Sequence, residues 1–207
     1  MLEKAITYAM AVLEVNASMG LIVAAPTAGS AGVVPGMMLA LQECYRISDQ
    51  RIVDALFNAG AVGYLAMRNA TVAGAVGGCQ AEVGVASAMA ASAAVELMGG
   101  TPQQCLDAAS TVLMNMLGLV CDPVGGLVEV PCVKRNAFHA VHALLAVEMA
   151  MNGIESVIPP DEVIEAMGDV GRRLPVELKE TSRAGLAVTK TGRKIHDEIM
   201  KKSAMVK

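Results

Sequence analysis

Apolar residues recur at helical spacing along most of this chain, and glycine and proline mark the segments between. Leu2 to Val15 carries Ile6, Ala9, Met10 and Leu13 on one face, which predicts a helix that stops near Asn16. After Pro35 and Gly36, the stretch Met37-Met38-Leu39-Ala40-Leu41-Gln42-Glu43 has the composition of a second helix. Ser48 suits the N-cap of a third, which would turn Ile52, Val53, Leu56 and Phe57 toward the core and end near Asn69. Ala81 to Met98 is small and apolar on nearly every side, with Glu82 and Glu96 its only charges, and a helix of that kind belongs at the centre of a protein.

Thr101-Pro102-Gln103-Gln104 combines an N-cap, a proline at the first helical position and a capping-box glutamine. The helical pattern breaks between Gly118 and Pro131, around Asp122-Pro123-Val124-Gly125-Gly126, and resumes near Lys134 to run to Asn152-Gly153. Asp161 to Arg173 and Thr191 to Lys202 read as peripheral amphipathic helices, with Pro175 to Lys190 a partly ordered connection between them. There is no clear repeat, low-complexity segment or strong boundary, so residues 1–207 are expected to form one domain.

Composition agrees with an all-α fold, a compact helical domain with a central apolar helix. Of 207 residues, 54% are hydrophobic but only 2% aromatic, which favours close-packed helices over sheets. A net charge of -4 with so few aromatic rings leaves neither a basic stripe for phosphates nor a stacking platform for bases, which argues against nucleic acid. The uncharged run from Val15 to Gln42 is long enough to span a membrane, but Gly20, Pro26, Gly29, Gly32, Pro35 and Gly36 would leave backbone groups unsatisfied in lipid. It predicts a buried irregular loop and no membrane partner. No secretory signal is visible, and five cysteines, an odd number, point to a reducing cytoplasm.

Three of those cysteines sit in helix-breaking surroundings: Gly77-Gly78-Cys79-Gln80, Leu119-Val120-Cys121-Asp122-Pro123 and Val130-Pro131-Cys132-Val133-Lys134. Cys44 and Cys105 fall inside amphipathic helices and read as small inert hydrophobes. Positions 79, 121 and 132 lack the close pairs of a zinc ribbon, and neither His139 nor His142 stands at a recognisable spacing for a fourth ligand. Three thiolates from separate loops suit an iron–sulfur cluster with one open iron better than zinc, although spacing alone leaves inert cysteines as the alternative.

Ala25-Pro26-Thr27-Ala28-Gly29-Ser30-Ala31-Gly32 offers small residues and the hydroxyls of Thr27 and Ser30, suited to a carboxylate or simply to a tight packing crossover. Lys134-Arg135-Asn136 places two cations at the start of a helix, against the dipole preference, so an anion such as Glu129 or a substrate carboxylate should compensate them. His139 and His142 share a helical face and read as hydrogen-bonded core or interface histidines, and His196 as a solvated one.

Together, Pro26-Thr27-Ala28-Gly29-Ser30-Ala31-Gly32, Gly77-Gly78-Cys79-Gln80-Ala81-Glu82, Asn115 to Pro123 and Gly126 to Asn136 resemble the catalytic α subunit of the iron–sulfur-dependent L-serine dehydratases, over nearly the whole chain. The resemblance implies conversion of L-serine to pyruvate and ammonia at a [4Fe–4S] cluster held by Cys79, Cys121 and Cys132, without pyridoxal phosphate. It implies Thr27, Ser30, Lys134, Arg135 and Asn136 as substrate-carboxylate or cluster-neighbourhood residues, and leaves the catalytic base unassigned. It also implies a β subunit or fused β domain as partner, in a homo-oligomer or heteromer. Family members carry a further N-terminal segment with a Gly-rich Thr-Gly motif, so this chain is expected to be the cluster-binding part of the enzyme. A related lyase acting on cysteine, or an inactive apo scaffold that needs a β partner, fits the same residues. No cysteine follows Cys132, so no later thiolate of this chain can close the fourth position.

Overall fold

The computed structural model describes residues 1–205, among which there are nine α-helices and no strand. Helix α5 (Val85–Leu97) is the axis of the bundle: every one of its residues except Glu96 is buried. Helices α3 (Asp49–Asn69), α6 (Pro102–Met114), α7 (Cys132–Met151) and α2 (Val33–Tyr45) pack around it, while α1 (Leu2–Ala17) lies against α7 and α2. The one-turn α4 (Gly74–Gly77), together with α8 (Pro160–Arg173) and α9 (Lys190–Met205), completes the shell. The all-α architecture with a central apolar helix is thus as the composition predicts.

Helix α6 starts through the expected capping box: Gln104 N–H donates to the Thr101 hydroxyl at 3.2 Å, and Thr101 N–H donates to the Gln104 side-chain oxygen at 2.8 Å. Helix α3 occupies its expected span but turns the other way. Val53, Leu56 and Phe57 are exposed, and the buried face is Ala55, Ala59, Val62, Gly63 and Ala66. Small side chains win this face because α3 runs close against α5; a β-carbon on Gly63 would come within 2.8 Å of the Met89 sulfur. Likewise α1 buries Ala5, Ala9 and Leu13, leaving Ile6 exposed.

Two connections differ from expectation. The 15–42 run is not a buried loop: α2 already begins at Val33, accommodating Pro35 in its first turn, where no backbone donor is needed, and Met19, Leu21 and Val23 project into solvent, Leu21 being 97% exposed. Residues 175–190 are not loose, for they carry two 3₁₀ turns, Val176–Leu178 and Gly185–Val188, and pair with the Cys121 segment.

Helix α1 meets α2 through glycine. A β-carbon on Gly36 would lie 2.8 Å from Ala9 Cβ, 2.9 Å from Ala9 N and 3.0 Å from Ala5 O. Gly36→Ala is expected to destabilise the fold by roughly 1–3 kcal/mol through this backbone clash. Gly60→Ala, in α3 with nothing within 4 Å of the added carbon, is expected to stabilise it by about 0.5–1 kcal/mol. Urea denaturation of the two variants checks the opposite signs.

His139 is buried on α7, but it is not the hydrogen-bonded histidine expected, since its Nδ1 has no partner among the described residues. Burial, then neighbouring His142 and Arg135, push its pKa down to about 4 from 6.5. Below pH 6.5 the unfolded chain therefore binds a proton that the native state refuses, so native stability falls as pH drops from 6.5 toward 4 and is insensitive to this group above that window. Unfolding free energy measured against pH should show this slope, reduced in His139→Leu.

Candidate active site

The site is assembled from segments brought to one end of α5. Immediately before that helix the backbone widens into a π-turn over Gln80–Gly84, a feature frequent at functional sites. Cys79 caps it, and Gly78 precedes it with φ +78°. A β-carbon there would meet Leu119 O at 2.9 Å and the Leu174 side chain at 2.8 Å. The fully buried Gln80 side chain donates to Gly77 O at 2.9 Å and Met167 O at 3.0 Å and accepts from Gly118 N at 2.9 Å. Its own N–H donates to Leu119 O at 3.0 Å. Cys79 is thereby fixed relative to the turn that leads into Cys121.

Cys121 is held in turn by a short parallel bridge: its N–H donates to Leu178 O at 2.9 Å and its carbonyl accepts from Glu180 N at 2.8 Å. Cys132 is the first residue of α7. The neighbouring Cys121 thiol lowers the Cys79 pKa against the cost of burial, with Arg135 adding to the effect. The proximity of Cys79 raises the Cys121 pKa in turn, and burial followed by the charge of Cys79 pushes Cys132 up to about 12. The three sulfurs thus feel one another, with Arg135 as the neighbouring cation.

The Thr27 loop closes over this group. Thr27 donates to the Glu82 carboxylate and lies 3.0 Å from the Ser30 hydroxyl. A β-carbon on Gly74 would stand 3.1 Å from Glu82 Oε2, 3.4 Å from Cys121 Sγ and 3.5 Å from Glu180 Oε2, so the three groups come together around this glycine. Burial raises the Glu82 pKa, opposed by the Thr27 hydrogen bond and reinforced by Glu180. Glu82 was not singled out from the sequence as a site residue. Its signal was its isolation, as one of two charges in an otherwise apolar segment.

The Lys134-Arg135-Asn136 triplet divides, because consecutive helical residues point about 100° apart. Arg135 donates to Val120 O at 3.0 Å and to Asp122 Oδ1 at 2.9 Å. Asn136, wholly buried, accepts from Gly32 N at 3.0 Å and donates to Gly29 O at 2.8 Å and Cys132 O at 3.0 Å, tying α7 to the Thr27 loop. Its hydrogen-bonding groups are thus committed to backbone. Lys134 is exposed and lines a different surface groove with Met10, Glu14 and Glu129. The anion paired with Arg135 is Asp122, which was neither of the expected candidates, Glu129 and a substrate carboxylate.

Among the described residues no group of three His, Cys, Asp or Glu side chains is gathered tightly enough for a single metal ion, and no helix is long and apolar enough to cross a membrane. Of the three loop-borne cysteines, Cys79 and Cys121 are buried and Cys132 is half-buried at the start of α7.

Fold and candidate site together define an all-helical protein whose loop-borne Cys79 and Cys121 lie buried near the start of its central helix. Residues 1–187 match the serine dehydratase alpha chain family. Over 195 residues the chain is 55% identical to a Bacillus subtilis protein named "Probable L-serine dehydratase, alpha chain", covering 94% of this chain and 65% of that one. It is 50% identical over 200 residues to the L-serine dehydratase, alpha chain of Peptoniphilus asaccharolyticus, covering 97% and 68%. With L-serine dehydratase TdcG of Escherichia coli it shares 43% over 183 residues, covering 87% of this chain and 40% of the other. The chain belongs to the serine dehydratase alpha chain family, and spans about two thirds of the first two relatives and less than half of the third.

Asp122 is 3% exposed, and besides Arg135 it accepts from Leu186 N at 2.7 Å, joining α7 to the 185–188 turn. Asp122→Ala leaves a partly buried guanidinium without its anion and should destabilise by roughly 3 kcal/mol, while Asp122→Asn, which keeps an acceptor, should cost less. Equilibrium unfolding of both variants orders them.

Proposed function

We propose that this chain is the cluster-holding part of an iron–sulfur-dependent L-serine ammonia-lyase, which removes water from L-serine and yields pyruvate and ammonia. What supports this reading is membership of a family whose relatives bear the name L-serine dehydratase, together with Cys79, Cys121 and Cys132 near enough to perturb one another and Cys121 lying with Glu82 around Gly74. A [4Fe–4S] cluster on these three thiolates supplies, when bound, an open iron site that makes the serine hydroxyl a better leaving group.

The chain's own residues do the remaining work. Arg135 balances thiolate charge next to Cys79, and Asn136 holds the Thr27 loop over the pocket. Thr27 and Ser30 present hydroxyls to the substrate. Substrate loses its α-proton and its β-hydroxyl as water, and the resulting aminoacrylate hydrolyses to pyruvate and ammonia. No substrate contact is assigned to Lys134, which faces another groove. Relatives named alpha chain support a β chain as partner, and five cysteines suit a reducing cytoplasm.

Anaerobic reconstitution with ferrous iron and sulfide should give broad visible absorption, lost or much reduced in Cys79→Ser, Cys121→Ser and Cys132→Ser. Pyruvate and ammonia should then form from L-serine in equal amounts, either alone or after addition of the β chain. Full clusters in all three variants would sink the ligand assignment, and preferential sulfide release from L-cysteine would sink the serine assignment.

A further inference from the structure

Glu82 is the acidic group that the reaction outlined above leaves unused. It rises from the π-turn at the end of the central helix, and two glycines in separate segments make room for it. A β-carbon on Gly29 would lie 2.7 Å from Oε1, and one on Gly74 would lie 3.1 Å from Oε2. Oε1 accepts the Thr27 hydroxyl; Oε2 accepts no side-chain hydrogen bond among the described residues, and the carboxylate forms no ion pair there. Arg135 is committed to Asp122, and Lys134 lines another groove.

A half-buried carboxylate with one oxygen bonded to Thr27 and the other without a side-chain donor is costly unless a cation donor arrives. Its neighbours set the chemistry of that donor. Thr27, whose hydrogen goes to Glu82, and Ser30, whose hydroxyl can bond Ala25 O, lie on one side as acceptors, and Cys121 and the Glu180 carboxylate lie across Gly74. A small molecule carrying a hydroxyl and, one carbon away, an ammonium group would span these features.

We infer that Glu82 is a specificity-determining residue that receives the α-ammonium group of the amino-acid substrate, selecting amino acids over the corresponding hydroxy acids. The inference rests on the serine-lyase reading and adds to it the group that recognises the amine. Charge on Glu82, not its shape, is what this role needs.

The test uses the full chain, anaerobically reconstituted, with L-serine and L-glycerate titrated calorimetrically as ligands that differ by ammonium against hydroxyl. In Glu82→Gln, which keeps a hydrogen-bond acceptor for Thr27, L-serine binding should weaken by about tenfold or more, as expected for loss of a charged hydrogen bond. L-Glycerate binding should change little and visible absorption should stay at the wild-type level. Glu82→Asp should retain the preference for L-serine, and Thr27→Val should weaken both ligands together.

Equal weakening of both ligands in Glu82→Gln, or unchanged L-serine binding, overturns the inference while leaving the serine-lyase reading intact. Loss of cluster absorption in Glu82→Gln also overturns it, by assigning the carboxylate to the metal centre. Failure of the wild-type protein to bind L-serine overturns both.

Discussion

The buried carboxamide of Gln80 is the constraint on which the site depends. It sits at the junction of the one-turn α4, the π-turn and α8, and its two amide hydrogens and its oxygen reach backbone groups in three different segments. Removing any of those partners would leave a polar group unsatisfied in a dry interior, at about 1–3 kcal/mol each. The three segments are therefore obliged to meet at one point. Since Cys79 is the preceding residue and Leu119, bonded to Gln80 N–H, lies two residues before Cys121, that point fixes the spacing of two thiols long before any cofactor is considered.

Around this anchor, charge is arranged in two layers. The outer layer is neutralised within the protein: Arg135 and Asp122 pair, and Asp122 spends its second oxygen on the Leu186 amide. The inner layer has no such pair: Glu82 carries the Thr27 hydrogen bond and no ion pair among the described residues. A folded domain accepts such an imbalance where a ligand completes it, and perturbed groups gather at functional sites for that reason. The helical shell is the apolar counterweight, with α5 buried along its length so that the strained and polar elements can be concentrated at one of its ends.

Much of the helical framework was legible because its signals are local. The capping box at Thr101 and the all-round apolar character of α5 each require only neighbouring residues to be read. The inward face of α3 was misread because hydrophobic size was weighed above fit. Against a helix as tightly embedded as α5, Ala55, Ala59 and Ala66 gain more by close approach than Leu56 and Phe57 would by bulk. The exposure of Met19 and Leu21 was invisible for the opposite reason, since apolarity does not disclose whether a surface is covered.

Long-range pairing explains what remained hidden in the site. Cys79, Cys121, Thr27 and Ser30 carry their chemistry in their side chains and can be suspected one by one, whereas the support of Cys121 is made by main-chain atoms of Leu178 and Glu180, which any residue could supply. The same holds for Asn136, whose role lies in which carbonyls and amides it reaches, 104 residues away in the case of Gly32. Glu180 shows what that support requires: its φ of +63° is a left-handed conformation uncommon for glutamate, and it is retained where its N–H bonds Cys121 and its carboxylate comes within 3.5 Å of the β-carbon position above Gly74. A connection that reads in sequence as only partly ordered thus sets the position of Cys121 through its backbone, and the placing of that thiol depends on residues 178–180 as firmly as on Cys121 itself.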